Sequence, residues 1–170
     1  GNIGSASATN AISISAGGNL DLVGSITSGT LGGSVNFPSD HIIQIQHMST
    51  TSGTNTTSSS FQATAITDSI TPSSSSNKIL VLASDAGMYK SSGDLFFTTL
   101  YREVGGSNTD LGSTNNKFQY GYGNAGNHTL SISYVDSPNT TSSVTYKVMM
   151  RCSGGTVYSG NGDVVMSMVL

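Results

Sequence analysis

At 170 residues the chain is long enough for one ordinary domain with an appended segment, and thin for two. Charged residues make up only 9% of it, against roughly 25% in typical globular chains. The net charge is -3, and the basic residues are scattered as Lys78, Lys90, Arg102, Lys117, Lys147 and Arg151, which excludes a clustered phosphate-binding surface for nucleic acid.

Ser and Thr supply about three residues in ten, with 21 Gly besides, so the polarity is that of turns and strand faces rather than of helices. Glu, Lys, Arg and Gln are scarce and no long 3.6-residue period is present. No apolar run is long enough for a membrane helix, and no basic segment followed by an apolar core marks a signal peptide. The chain opens on Gly1 and stops in VVMSMVL, which reads as the limits of a processed or excised segment. The one cysteine, Cys152, allows no intrachain disulfide and is expected to be a small core or edge residue of a strand.

Residues 1–38 hold no basic residue and no aromatic before Phe37. Their short alternating pieces are AISIS (Ala11 to Ser15), NLDLV (Asn19 to Val23), GSIT and SVNF, divided by glycine turns. Each offers two or three aliphatic side chains, too few to offset the entropy of ordering its own backbone. Wrapped around a shared axis, copies would cover one another. Residues 1–38 are therefore expected to form a β-rich oligomeric stalk, the alternative being a flexible low-complexity tail.

Residues 39–170 carry longer strands at the rhythm of an all-β domain. In order these are HIIQIQHM (His41 to Met48), FQATAIT, KILVLAS (Lys78 to Ser84), LFFTTLYREV (Leu95 to Val104), KFQYGY, LSISYV (Leu130 to Val135), VTYKVMMR (Val144 to Arg151) and VVMSMVL (Val164 to Leu170). KILVLAS is nearly all apolar, as a central strand would be. The segments YKSSGD, VGGSNTDLGSTNN, DSPNTTSS and SGGTVYSGNGD read as connections. About eight antiparallel strands in this length fit a β-sandwich head of jelly-roll type. The serine run of SITPSSSSNKILVLASD lies between two strands of like character, so it reads as a surface loop inside one domain. The boundary falls near Gly33 to Ser39.

Little in the sequence suggests chemistry. His41 and His47, if on one strand, share a face about 20 Å apart and cannot ligate one ion within a chain. His128 reads as a loop residue. The carboxylates fall mostly at strand ends and turns, and no nucleophile elbow, P-loop or dinucleotide fingerprint occurs. No enzyme, metal or cofactor is expected. The most suggestive stretch is FQYGYGNAGNH, where Tyr120, Tyr122, Asn124, Asn127 and His128 have the chemistry to stack on and hydrogen-bond a sugar. The competing reading is a strand with structural tyrosines entering a tight turn. TTSGTNTTSSS and SGGTVYSGNGD, with Tyr158, are further candidate recognition loops. Sequons stand at Asn55, Asn127 and Asn139, readily produced by chance in a chain of this composition.

Taken together, ATNAISISAGGNLDLVGSITSGT, SVNFPSDHIIQIQHMST, ITPSSSSNKILVLA and the terminal GDVVMSMVL resemble the virion structural proteins of tailed bacteriophages, in particular fibre-like proteins of marine phages. The resemblance spans most of the chain and rests on low-complexity β patterns. It implies a homotrimeric fibre with a C-terminal β-sandwich head, located in the virion and joined to other virion proteins through its N-terminal side. The head's loops would then be available to a host-surface glycan or protein. The rival expectations are a capsid decoration or collar fibre without receptor binding, and a polysaccharide-degrading tail spike. The spike would need two converging carboxylates.

Overall fold

The computed structural model describes residues 41–92, 95–112, 118–121 and 126–170. The expected stalk, residues 1–38, lies outside the described residues. No described residue is helical.

Eleven strands are present among the described residues: β1 (His47–Thr50), β2 (Thr54–Thr56), β3 (Gln62–Ile70), β4 (Ile79–Lys90), β5 (Phe96–Val104), β6 (Ser107–Asp110), β7 (Gln119–Gly121), β8 (Gly126–Asp136), β9 (Val144–Cys152), β10 (Val157–Ser159) and β11 (Met166–Val169). All pairings are antiparallel. In the first sheet β4 is central, with β8 on one edge and both β10 and β11 on the other. β2 and β1 extend that second edge. In the second sheet the order is β3, β9, β5, with β6 and β7 sharing the far edge of β5.

Three pairs of short strands, β1/β2, β6/β7 and β10/β11, are thus single ladders broken in the middle. Eleven minus these three breaks gives eight strands. In chain order, the first, eighth, third and sixth make one sheet and the second, seventh, fourth and fifth make the other. This is the double-sheet jelly roll.

The break between β10 and β11 has a local cause. At Asp85–Met88 the register of β4 shifts by a bulge. The buried Asp85 carboxylate closes it, accepting from Gly87 N (2.7 Å), Ser159 Oγ (2.7 Å) and Gly160 N (3.1 Å). The segment linking β10 to β11 swings over the bulge, with Asn161 N donating to Gly87 O at 2.8 Å. A Cβ on Gly87 would come within 2.6 Å of the Asn161 carbonyl oxygen, so this approach requires glycine. The stretch VGGS also forms structure: Gly105 and Gly106, at φ 57° and 83°, make a two-residue hairpin from β5 into β6.

Period-2 alternation sends one face of each sheet inward. Ile66 and Ile70 of β3, Val81 and Met88 of β4, Leu100 of β5, Ile132 of β8 and Val148 of β9 meet in one apolar core. Cys152 is buried in that core as a free thiol. Inside it, Asp136 at the end of β8 bridges the sheets. Its carboxylate accepts both Arg102 Nη1 (2.9 and 3.0 Å) and the Tyr146 hydroxyl (2.7 Å). Burial first, and the Asp136 carboxylate second, push the Tyr146 phenol well above its ordinary range.

The serine run lies between β3 and β4, inside the compact unit Ile42–Leu170. Ser73 to Ser76 are exposed, and Ser74 N donates to Asn77 Oδ1 at 2.7 Å, closing the turn that carries the chain from one sheet to the other. One strand is shorter than expected. HIIQIQHM was read as extended from His41, but β1 begins at His47. Gln46 exchanges backbone hydrogen bonds with Leu170 at 2.9 Å, and the ladder with β11 ends there, leaving Ile42, Ile43 and Ile45 exposed.

Candidate functional site

Antiparallel succession fixes which connections share an end of the sandwich. The C-terminal ends of β2, β4, β7 and β9 and the N-terminal ends of β3, β5, β8 and β10 lie at one end, here the loop end. The chain enters at Ile42–Gln46, and the β3–β4 and β8–β9 connections lie at the other. Of the candidate recognition residues, the described ones, Tyr120, Asn127, His128 and Tyr158, fall near the loop end, but in three different settings.

The first surface is the outer face of the β4-centred sheet. Cross-strand registers place Asn55 beside Tyr158, Tyr158 beside Tyr89, and Tyr89 beside Asn127. Four strands therefore contribute one row, Asn55–Tyr158–Tyr89–Asn127, about 14 Å from end to end at the usual strand spacing. The two tyrosine rings pack with centroids 5.7 Å apart at 51°. Asn55 and Asn127 are exposed and both tyrosines half-exposed. The row has no side chain in the core and carries no charge. Its chemistry is two aromatic faces between two amides, able to stack on apolar sugar faces and to donate and accept at hydroxyls. Asn127 and Tyr158 come from the sequence-level set. Asn55 lies in the candidate loop TTSGTNTTSSS, whereas Tyr89 was missed, because its partnership depends on register across strands far apart in sequence.

Tyr120 lies on the opposite sheet. It stands on the outer face of β7, 60% exposed, paired across the ladder with Phe97. Phe97 in turn is paired with Arg151. The alternation of Tyr and Gly in QYG has a packing cause: a Cβ on Gly121 would run into the Phe96 ring, so the inward position is glycine and the outward one tyrosine.

His128 belongs to neither face. The expectation of a loop residue is corrected: it is in β8, paired with Met88, and its ring packs at 4.8 Å on Phe96 on the inner side. Tyr122 and Asn124 lie outside the described residues. Lys90, also buried at this end, donates its ammonium to the Gly154 carbonyl. Among the described residues, no three His, Cys, Asp or Glu side chains are grouped to hold a metal ion.

No family model matches the chain, and no curated protein matches it. Among solved structures, it is similar to a chain of the structure of infectious bursal disease virus Gx strain. The likeness is at 13% identity and a TM-score of 0.37, covering 75% of this chain and 32% of that one. The chain thus spans about a third of that protein's length.

Proposed function

We propose that this chain is a structural protein of a virion, a fibre or appendage whose head contacts neutral glycans on the host surface through the Asn55–Tyr158–Tyr89–Asn127 row. The observation that carries the glycan reading is the row itself. Four exposed or half-exposed side chains of sugar-binding chemistry are aligned on one rigid sheet face, at the end of the sandwich opposite the chain's entry. The virion assignment draws on the sequence resemblance described above.

Self-association supplies the repetition such a contact needs. The outer face of the same sheet, towards the entry end, exposes Leu80 (48%), Leu82 (40%) and Val135 (57%). Ser84, Ser131, Ser133 and Ser167 surround them, without a charged side chain in the ladder face. An uncharged, small-residue face can meet a copy of itself without opposing like charges. A trimer would multiply three weak glycan contacts into avidity, and because the row is uncharged, salt would screen little of it.

The test is binding of the purified protein to an array of neutral oligosaccharides. Retention on at least one glycan is expected, with about ten-fold loss or more in Tyr89→Ala and Tyr158→Ala, since stacked aromatic contacts are worth roughly 1 kcal/mol each before avidity multiplies them. Unchanged binding in both variants, or no binding at any glycan, contradicts the reading.

A further inference from the structure

The second sheet carries its own row at the loop end, and its chemistry differs. Phe61, just before β3, lies beside Arg151 of β9, which pairs with Phe97 of β5, which pairs with Tyr120 of β7. The Arg151 guanidinium sits over both neighbouring rings, 4.2 Å from the Phe97 centroid and 5.0 Å from that of Phe61. Rings on either side fix its plane and remove water from its faces, leaving the hydrogen-bonding edge.

That edge is nearly unused. Among the described residues its one hydrogen bond is from Nη1 to the Ser59 carbonyl at 3.4 Å, close to the limit of a useful contact. Neither ion pair among the described residues involves it, since Arg102 holds Asp136 and Lys147 holds Glu103. The other carboxylate of this face, Asp110, accepts at Oδ1 from the Thr99 hydroxyl (2.6 Å) and Gly112 N (2.8 Å), and its buried Oδ2 makes no hydrogen bond among the described residues, to Arg151 or otherwise. A half-exposed guanidinium held between aromatic rings, with no carboxylate paired to it among the described residues, matches an incoming carboxylate in the two-pronged geometry arginine favours.

We infer that the Phe61–Arg151–Phe97–Tyr120 row is a binding site for a carboxylate-bearing saccharide: the guanidinium takes the carboxylate and the exposed Tyr120 ring stacks on the sugar. The inference is independent of the neutral-glycan row, which lies on the other sheet. It gives the head two faces of different selectivity at one end.

The experiment titrates the full chain with a glucuronate-containing oligosaccharide and with its neutral glucose counterpart, at low and high salt, by calorimetry or NMR shifts. Saturable binding of the acidic oligosaccharide is expected, with the neutral one at least about ten-fold weaker. Arg151→Gln should weaken the acidic ligand at least about ten-fold. Arg151→Lys should not restore it, because an ammonium lacks the planar fork. Tyr120→Ala, an exposed change that leaves the core alone, should weaken it several-fold, and Tyr89→Ala should leave it unchanged. Each variant's near-ultraviolet circular dichroism checks that the fold is intact. No preference for the acidic sugar, or unchanged binding in folded Arg151→Gln or Tyr120→Ala, overturns the inference. So does tighter binding of a peptide through its free terminal carboxylate than of the saccharide.

Discussion

Tyr146 shows how a single side chain couples this fold to pH. It is fully buried on β9, and its hydroxyl donates to Asp136, which Arg102 also holds. Its ordinary pKa is 10.0, and in the fold it is raised. The unfolded chain therefore sheds the phenolic proton near pH 10 while the folded chain keeps it. The resulting stability is present below about pH 10 and is lost as the pH climbs above it. Tyr101 is raised in the same direction, by burial and then by Asp110. Thermal midpoints measured from pH 8 to pH 11 should fall more steeply for the wild type than for Tyr146→Phe. Parallel curves would contradict this account of the bridge. Gly87 is the second residue on which the fold depends. Gly87→Ala forces a Cβ against the Asn161 carbonyl backbone, and a loss of about 2 kcal/mol in denaturant unfolding is expected. A variant as stable as the wild type would show that the bulge can relax.

At the scale of elements, the sequence announced those strands whose apolar residues alternate over several turns of the pleat. KILVLAS was legible as central, and β4 is flanked by strands on both edges. Its continuous apolar character has a further source: Leu80 and Leu82 face outward on a sheet surface that is itself partly apolar. The strands that were not legible, β2 (TNT), β6 (SNTD) and β10 (VYS), are three or four residues long and mostly polar. They exist because a neighbouring ladder offers them partners, and a pairing made with distant residues leaves no local pattern. The same fact limited what was legible of the candidate site. FQYGYGNAGNH looked like one recognition loop, yet Tyr120 and Asn127 stand on opposite sheets and His128 faces inward. A strand's alternation separates neighbours in sequence, and register assembles residues as distant as Asn55, Tyr89, Asn127 and Tyr158.

At the largest scale, the compact unit from Ile42 to Leu170 is a jelly roll with its first strand entering at one end and two aromatic rows at the other. Such a scaffold hosts unrelated functions, so its shape alone assigns none. The functional reading proposed above rests on the rows themselves, which lie at the end opposite Ile42–Gln46. Exposed Ile42, Ile43 and Ile45 adjoin the entry, on the same end as the uncharged Leu80–Val135 face. Light scattering of the full chain should give three times the monomer mass, and Leu82→Lys, by placing three like charges against one another, should lower it. A wild-type monomer would contradict the trimer. The most direct measurement for the central claim is competition for host adsorption by the soluble full chain. The account predicts that an excess of wild-type protein blocks adsorption of the particle that carries it, and that the Tyr89→Ala/Tyr158→Ala double variant at the same concentration does not. Adsorption unaffected by the wild-type protein, or blocked equally by the double variant, would contradict it.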